Sequence, residues 1–176
     1  METCIIKTPL GFTKIIGDEV GIASITVLNT LDTSEGETTD FSFPRKWQSE
    51  EKTTDIIPIE LEDCAIQLNE YFEGTRKQFN LNLNPKGTDF QQKVWKALQQ
   101  IPYGKTLSYL ELSKQLGHAK AIRAVANANG KNPLWIIVPC HRVIGSDGSL
   151  TGYAGGLHRK KWLLEHESPY KQQSLF

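Results

Sequence analysis

The spacing of apolar residues changes from strand-like to helix-like near Pro85, and this change restricts the chain to folds built from two dissimilar halves. Short runs rich in β-branched residues, separated by turns that contain Pro or Gly, lie at 5–7, 12–16 and 22–28. After Pro85, apolar residues recur at the spacing of amphipathic helices. The pattern predicts an α+β fold with an acidic N-terminal domain over 1–85 and a basic C-terminal domain over 86–176.

Before the boundary, the sequence predicts a loop, a helix and a further strand. Residues 29–55 are acidic, rich in Thr and Ser and without periodicity, which is typical of a surface loop. Apolar residues at helical spacing from Pro58 to Phe72, followed by Gly74, predict a helix with a glycine stop. Residues 79–84 alternate apolar side chains with Asn, which indicates a strand with one buried face.

Two capping boxes mark helix starts in the second half. Thr88–Gln91 and Ser108–Glu111 have the spacing at which the side chains of a helix start cap the backbone reciprocally. Gly117 ends the second of these helices, and a third helix is predicted over 119–129. Two short helices joined by a turn that contains Gly have the layout of a helix-turn-helix.

The formal net charge of zero conceals a strong asymmetry. Residues 1–85 carry 7 Lys and Arg against 15 Asp and Glu, a balance of −8, whereas residues 86–176 carry 13 against 5, a balance of +8. A basic half indicates that one face of the protein binds a polyanion. The alternative is that the acidic and basic halves are two solvated surfaces that attract each other. Overall neutrality predicts weaker non-specific DNA affinity than a uniformly basic protein has, because that affinity follows phosphate neutralisation.

The three cysteines are an odd number, which argues against a disulfide framework and for a reducing compartment. The first residues lack a basic segment followed by a long apolar run, so no signal peptide is expected. No stretch of the sequence reaches the roughly 20 apolar residues of a membrane span. These features predict a cytoplasmic protein, or a nuclear one in a eukaryote.

Residues 136–144 place a Cys-His pair between two apolar runs, with Pro139 fixing the backbone directly before the sulfur. Cysteine becomes a strong nucleophile where its surroundings favour the thiolate, because only a small fraction is ionised at its ordinary pKa of about 8.5. Cys140 is therefore a candidate nucleophile, and an inert core cysteine is the alternative. His141 follows it directly, which argues against a cysteine peptidase, where histidine comes from far along the chain.

Further motifs surround this pair. Asn132-Pro133 precedes it, a Tyr-Ala-Gly-Gly loop at 153–156 follows it, and a segment Trp-Leu-Leu-Glu-His-Glu ends at Glu167. From about Phe79 to Glu167 these motifs resemble the O6-alkylguanine-DNA alkyltransferases, which move an alkyl group from guanine onto their own cysteine. The resemblance implies a ribonuclease H-like N-terminal domain, a winged helix-turn-helix-like C-terminal domain and direct repair of O6-methylguanine in double-stranded DNA.

The resemblance also implies a role for individual residues. Glu167 orients His141, which polarises a water that takes the proton of Cys140. Asn132 braces the segment that carries the cysteine, and Tyr109 donates a hydrogen bond or a proton toward the guanine. The other positions expected to contact the substrate are Val143, Tyr153, Ala154 and Lys160. A thioether is not undone by thiol exchange, so each molecule is expected to react once.

The helix predicted at 119–129 suits the minor groove of DNA. At about 100° per residue its inward face comprises Ala121, Ala124, Val125 and Ala128. The opposite face comprises Arg123, Ala126, Asn127 and Gly130. A helix face with a single long side chain contacts few base edges, so it suits binding in the minor groove with little sequence preference. The alternative is that Arg123 is an ordinary solvated surface arginine. By resemblance, Arg123 fills the gap left by a flipped base, and Ser146 also contacts DNA.

The resemblance implies no cofactor and a monomer that binds double-stranded DNA, away from membranes. Some relatives hold a structural zinc through cysteines and a histidine of the first domain. Here Cys4 and Cys64 are expected to be small buried residues and the first histidine is His118, so no metal site is expected. Many relatives carry serine in place of Ala154, so an altered preference among alkyl groups is expected. The rival function is a lesion sensor that binds alkylated DNA without transfer; such proteins carry another residue where this chain has Cys140.

Overall fold

The computed structural model describes residues 1–28 and 53–170 of the 176-residue chain. The first described range forms an antiparallel sheet in the order β1-β2-β3. Its strands are β1, Glu2–Thr8, β2, Gly11–Gly17, and β3, Ile22–Val27. The strand predictions in the first thirty residues are therefore confirmed. The predicted acidic loop at 29–55 lies outside the described residues except for its last positions.

Helix α1, Ile59–Glu73, packs against β1 and β2 with one buried face. It ends at Gly74, whose φ of +82° favours glycine, as the glycine stop predicted. Cys64 on α1 and Cys4 on β1 are both fully buried free cysteines. They behave as the small apolar core residues that were expected.

The strand predicted at 79–84 is wrong. The described segment pairs with β3 at one position, where Leu83 bridges Ile22 in parallel. The amide of Ile22 donates to the Asn82 carbonyl at 2.8 Å, and the amide of Asn84 donates to the Ile22 carbonyl at 2.8 Å. The alternation in sequence reflects packing of Phe79, Leu81 and Leu83 against the core, because the segment meets the start of β3 and does not run along it.

The second half is mostly helical, and both capping boxes form as predicted. Its elements are α2, Asp89–Leu98, β4, Leu107–Ser108, α3, Tyr109–Gln115, α4, Ile122–Gly130, β5, Val143–Ile144, and α5, Leu157–Glu167. Strands β4 and β5 pair in parallel, and α4 packs against both α2 and α3. An α+β chain with a small sheet first and a helical part after it agrees with the predicted fold class.

Helix α4 differs in detail from its projection. It begins at Ile122, three residues later than predicted, and buries Val125, Ala128 and Asn129. Ala124, expected to face inward, is exposed. The later start and the contacts with α2 and α3 centre the packed face on Val125, so the residue directly before it turns to solvent.

The two halves share one continuous core. Ile25 of β3 exchanges backbone hydrogen bonds with the segment after α4, accepting from Trp135 at 3.2 Å and donating to the Pro133 carbonyl at 2.8 Å. Arg159 of α5 donates to the Leu10 carbonyl at 3.0 Å. Within residues 1–28 and 53–170, no helix has the length and apolar character needed to cross a membrane.

Candidate active site

Cys140 lies at the edge of a cavity of about 170 Å³ and has 7% of its surface exposed. It begins a single turn of 3-10 helix, Cys140–Arg142, which follows a fully buried segment. The cavity walls come from both halves of the chain. They comprise Ile25 to Val27 of β3, Asn129, Gly130, Asn132, Pro133, Trp135, Cys140 and Gly152 to Gly155.

The segment before Cys140 contains a strained residue. Ile136 has a φ of +70°, which is rare for a β-branched side chain. Flanking backbone bonds hold it there, since Ile137 donates to the Trp135 carbonyl at 2.9 Å and Val138 donates to the Leu134 carbonyl at 3.0 Å. The reversal at Ile136 turns the chain into Pro139 and so sets where the sulfur lies.

Asn132 holds this segment from one side. Its Nδ2 donates to the Val138 carbonyl at 2.7 Å and to the Cys140 Sγ at 3.3 Å, while its Oδ1 accepts from the Leu134 amide at 2.9 Å. One amide side chain therefore bonds the reactive sulfur and the backbone on either side of Ile136. These bonds support the bracing role that the resemblance implied for Asn132, which stays a prediction.

The Cys140 thiol is protonated in the resting structure. Burial raises the pKa of this thiol, and the hydrogen bond from Asn132 and the positive charge of Lys160 offset burial only in part. The site therefore holds a thiol that a base must deprotonate, and it does not hold a standing thiolate.

His141 and Glu167 form a buried pair behind the cysteine. Nε2 of His141 lies 2.8 Å from Oε1 of Glu167, with side-chain exposures of 0% and 1%. Burial lowers the pKa of His141, so its ring is neutral at pH 7. Nε2 carries the proton because a carboxylate only accepts, which leaves Nδ1 as an acceptor. In the described residues, the buried Nδ1 has no protein hydrogen-bond partner.

Two residues that sequence reasoning missed complete this cluster. Arg142 donates from Nε to Oε2 and from Nη2 to Oε1 of Glu167, each at 2.9 Å, and Tyr71 of α1 donates to Oε1 at 2.7 Å. Burial alone would raise the pKa of Glu167, but the bonds from His141 and Arg142 hold it well below its usual range. Glu167 is therefore a carboxylate at every ordinary pH.

The remaining substrate positions divide into cavity lining and support. Tyr153 and Ala154 line the cavity. Val143, Lys160 and Tyr109 are not among the lining residues and are linked by hydrogen bonds. The buried Lys160 Nζ donates to the carbonyls of Val143 at 2.6 Å and Thr151 at 3.2 Å. Tyr109 donates its hydroxyl to the same Thr151 carbonyl at 3.3 Å.

Charge and burial around this support keep its groups in defined protonation states. Burial raises the pKa of Tyr109, and ionisation of Cys140 raises it further, so the hydroxyl keeps its proton. Burial lowers the pKa of Lys160, whereas ionisation of Cys140 raises it. The ammonium lies 5.8 Å from the ring centre of Tyr109 and 6.0 Å from that of Tyr153.

The residues expected to contact DNA lie on one exposed side of α4 and beyond it. Arg123, Asn127 and Gly130 are exposed and Ala126 is half-buried, while Ser146 is exposed in the turn after β5. Gly130 also lines the cavity. The exposed side of α4 therefore leads directly to the cavity that holds Cys140.

Metal ligands do not cluster in the described parts of the chain. No three His, Cys, Asp or Glu side chains of residues 1–28 and 53–170 come together in a way that could hold a metal ion. The buried Cys4 and Cys64 serve the core between sheet and helix.

Comparison with known proteins finds matches over nearly the whole chain. The family model for the 6-O-methylguanine DNA methyltransferase ribonuclease-like domain matches residues 3–85, and the model for the DNA binding domain matches 89–169. A methylated-DNA–protein-cysteine methyltransferase of Methanosarcina barkeri is 45% identical over 93% of this chain and 94% of its own length. Another protein of that name, from Mycobacterium tuberculosis, is 60% identical over 57% of this chain and 61% of its own length.

Solved structures agree with the sequence matches. The crystal structure of Mycobacterium tuberculosis OGT in complex with DNA is 42% identical, with a TM-score of 0.74 over 93% of this chain and 90% of that one. An O6-methylguanine DNA methyltransferase of Methanococcus jannaschii is 26% identical, with a TM-score of 0.60 over 98% and 99% of the two chains. The likeness therefore covers both halves of the fold.

Proposed function

Because the chain belongs to the 6-O-methylguanine DNA methyltransferase family, we propose that it repairs DNA by moving an alkyl group from O6 of guanine onto Cys140. It is a methylated-DNA–protein-cysteine methyltransferase, and DNA is its partner. The observation that carries the choice of acceptor is a thiol at the edge of a cavity with a neutral, carboxylate-bound histidine as the next residue.

Proton removal from Cys140 runs through His141. The free Nδ1 of this neutral ring accepts a proton from a bridging water, which in turn takes the thiol proton. Glu167 stabilises the imidazolium that forms, because its carboxylate already accepts from Nε2 at 2.8 Å. Asn132 supports the developing thiolate, since its hydrogen bond to sulfur lowers the pKa of Cys140.

Alkyl transfer is an in-line displacement at the alkyl carbon. The thiolate forms the new sulfur–carbon bond while the carbon–O6 bond breaks, and its electron pair stays with the guanine. Donors aimed at that developing charge lower the barrier. We assign this role to the backbone amide of Ala154, because Ala154 lines the cavity that would hold the guanine. Tyr109, whose raised pKa keeps its hydroxyl protonated, donates a hydrogen bond toward the guanine once that hydroxyl leaves the Thr151 carbonyl, and the proton taken up by His141 returns through water to neutralise the guanine.

The guanine reaches Cys140 only after leaving the DNA stack. Flipping costs a few kcal/mol, and less for a lesion that pairs poorly. The exposed side of α4 enters the minor groove, where its small residues allow close approach and Arg123 fills the gap in the stack. Gly130 joins that side of α4 to the cavity, which supports this path for the base. The protein acts as a monomer in the compartment that holds the DNA, the cytoplasm or a eukaryotic nucleus.

Each molecule reacts once, because the thioether formed on Cys140 has no chemical route back to a thiol. Intact-mass spectrometry after incubation with a methylated duplex oligonucleotide tests the proposal. The expected result is one added methyl group, mapped to the Cys140 peptide, with Cys140→Ser as the unreactive control. Tight binding of the methylated duplex with no change in protein mass would instead identify a lesion sensor and overturn the proposal.

A further inference from the structure

Tyr71 makes hydrogen bonds with two consecutive residues of α5, one through its hydroxyl and one through its backbone carbonyl. Its hydroxyl donates to Oε1 of Glu167 at 2.7 Å, and its backbone carbonyl accepts from Nε2 of His166 at 2.7 Å. The side chain is fully buried, although it belongs to α1 in the first half of the chain. Tyr71, a residue of the N-terminal half, therefore holds the end of α5 at Glu167, the carboxylate of the proposed proton relay.

The position of the Tyr71 hydroxyl is set by aromatic packing from both halves of the molecule. The centre of its ring lies 5.2 Å from that of His166, 5.5 Å from that of Phe72, 5.6 Å from that of Phe79 and 6.1 Å from that of Tyr103. Burial, followed by the negative charge of Glu167, raises the pKa of Tyr71 well above its usual range. The hydroxyl is thus a permanent donor at a fixed place.

One carboxylate oxygen serves several donors. Oε1 of Glu167 accepts from Tyr71, from Nε2 of His141 and from Nη2 of Arg142, whereas Oε2 accepts from Nε of Arg142. Donors that share one oxygen compete for it, because a carboxylate oxygen offers only about two lone-pair sites. Each therefore weakens the pull of the carboxylate on the others while restricting where the carboxylate lies.

We propose that Tyr71 is a positioning residue of the alkyl-transfer reaction: through Glu167 it fixes the orientation of His141 and limits how strongly the carboxylate attracts the imidazolium. The inference rests on the proposed function for its substrate. It assigns to the first half of the chain a direct hydrogen bond into the relay, in addition to the cavity wall formed by β3.

Arg142 and Lys160 face the pair with positive charge, and Cys140, Tyr103 and Tyr153 are the neighbouring neutral acids. His166, the residue before Glu167, bonds the backbone carbonyl of Tyr71, and Tyr71→Phe keeps that carbonyl. None of these groups changes when the Tyr71 hydroxyl is removed. A change in the pH dependence of the transfer reaction in Tyr71→Phe therefore reports the loss of the hydrogen bond to Glu167.

Tyr71→Phe removes the hydroxyl and keeps the ring. The rate of Cys140 alkylation by a methylated duplex is expected to fall about tenfold, the order of magnitude found when a partner that orients a catalytic group is lost. The acidic limb of the pH–rate profile is expected to move to higher pH, because Glu167 then attracts the His141 imidazolium more strongly. Tyr103→Phe is the matched control: it removes a hydroxyl in the same aromatic cluster that bonds the His166 carbonyl at 3.4 Å.

A double-mutant cycle separates positioning from general support. If Tyr71 acts through Glu167, Tyr71→Phe in a Glu167→Gln background causes no further loss of rate. An equal loss in both backgrounds, or a Tyr71→Phe protein with wild-type rate and pH profile, would overturn the inference. Should Tyr71→Phe not fold, fluorotyrosine at position 71 keeps ring and hydroxyl but donates more strongly, and the acidic limb must then move to lower pH.

The same variants treated with iodoacetamide give a result that does not depend on guanine chemistry. The thiolate of Cys140 displaces iodide, so the pH profile of carboxamidomethylation reports its deprotonation. A wild-type protein that reacts with iodoacetamide but never with methylated DNA would refute the proposed function. The position of Tyr71 in the relay would in that case still be decided by the shift between the wild-type and Tyr71→Phe profiles.

Discussion

Glu167→Gln is expected to be the most destabilising single change at the site that leaves side-chain shape intact. The carboxylate and its partner Arg142 are 1% and 8% exposed and lie 2.9 Å apart. Removing one charge of such a pair leaves the other buried and uncompensated, which costs about 3–5 kcal/mol. The amide nitrogen of glutamine also directs hydrogens at groups that are themselves donors, here Tyr71, His141 and Arg142.

Equilibrium unfolding in urea at pH 7 measures this loss, with Glu165→Gln as the matched control. Glu165 lies on the same helix, is 66% exposed and pairs with Lys161 at 3.8 Å. Neutralising that exposed pair is expected to change the free energy of unfolding by less than about 0.5 kcal/mol. The transfer rate of Glu167→Gln should fall about 100-fold, because His141 loses the anion that stabilises its protonated form.

Equal losses of unfolding free energy in Glu167→Gln and Glu165→Gln would contradict this prediction. That outcome would mean that the buried charges are compensated by groups other than the Glu167 carboxylate. A large loss of stability with an unchanged transfer rate would separate the two roles and remove Glu167 from the relay.

Three further outcomes are expected. Arg123→Ala should slow repair of duplex DNA more than reaction with the free methylated base, and equal losses on the two substrates would exclude it as the flipping residue. Asn132→Ala should move the pH profile of Cys140 carboxamidomethylation to higher pH, since the hydrogen bond that lowers the thiol pKa is gone; an unmoved profile would contradict this. In the wild-type protein, stability measured by urea unfolding should fall as the pH drops through about 6.5, because the pKa of His141 is lowered by folding and the unfolded state takes up the proton first. The lowered pKa of Glu167 should add a second loss as the pH falls below about 4.5, and a flat profile across both ranges would refute the assignment.

Local sequence signals predicted the elements that depend on local physics. The strands before residue 28, the stop at Gly74 and both capping boxes formed as expected, because turns and caps are decided by side chains within a few residues. The predictions of a strand at 79–84 and of an inward-facing Ala124 were wrong. Burial at both places is set by the neighbouring element that the segment packs against, and not by the spacing of apolar residues in the segment itself.

The residues of the candidate site also divide into those that the local sequence predicted and those that depend on contacts distant in sequence. Cys140, His141 and Asn132 are close in sequence, and the structure joins Asn132 to Cys140 and His141 to Glu167 by hydrogen bonds. The relay that the motif resemblance implied between these two pairs stays a prediction. Tyr71 carried no signal of its own: it is one of many apolar positions on α1, and its hydrogen bond spans 96 residues of sequence. Arg142 stood beside the motif, and a charged residue inside the apolar run 136–144 was the available signal of a buried ion pair.

Burial of Cys140 opposes its ionisation, and this suits a protein that is consumed by its own reaction. Each unrelated electrophile or oxidant that reaches the sulfur removes one molecule from use, and a protonated thiol with 7% exposure resists both. Reactivity then depends on a base that is neutral and aligned, and on a substrate that enters the cavity of about 170 Å³ and places its leaving oxygen beside hydrogen-bond donors. The free protein at neutral pH should accordingly show no ultraviolet absorbance from a thiolate at Cys140. Its presence would mean that the sulfur is activated before DNA binds, and that the relay through His141 has no proton left to remove.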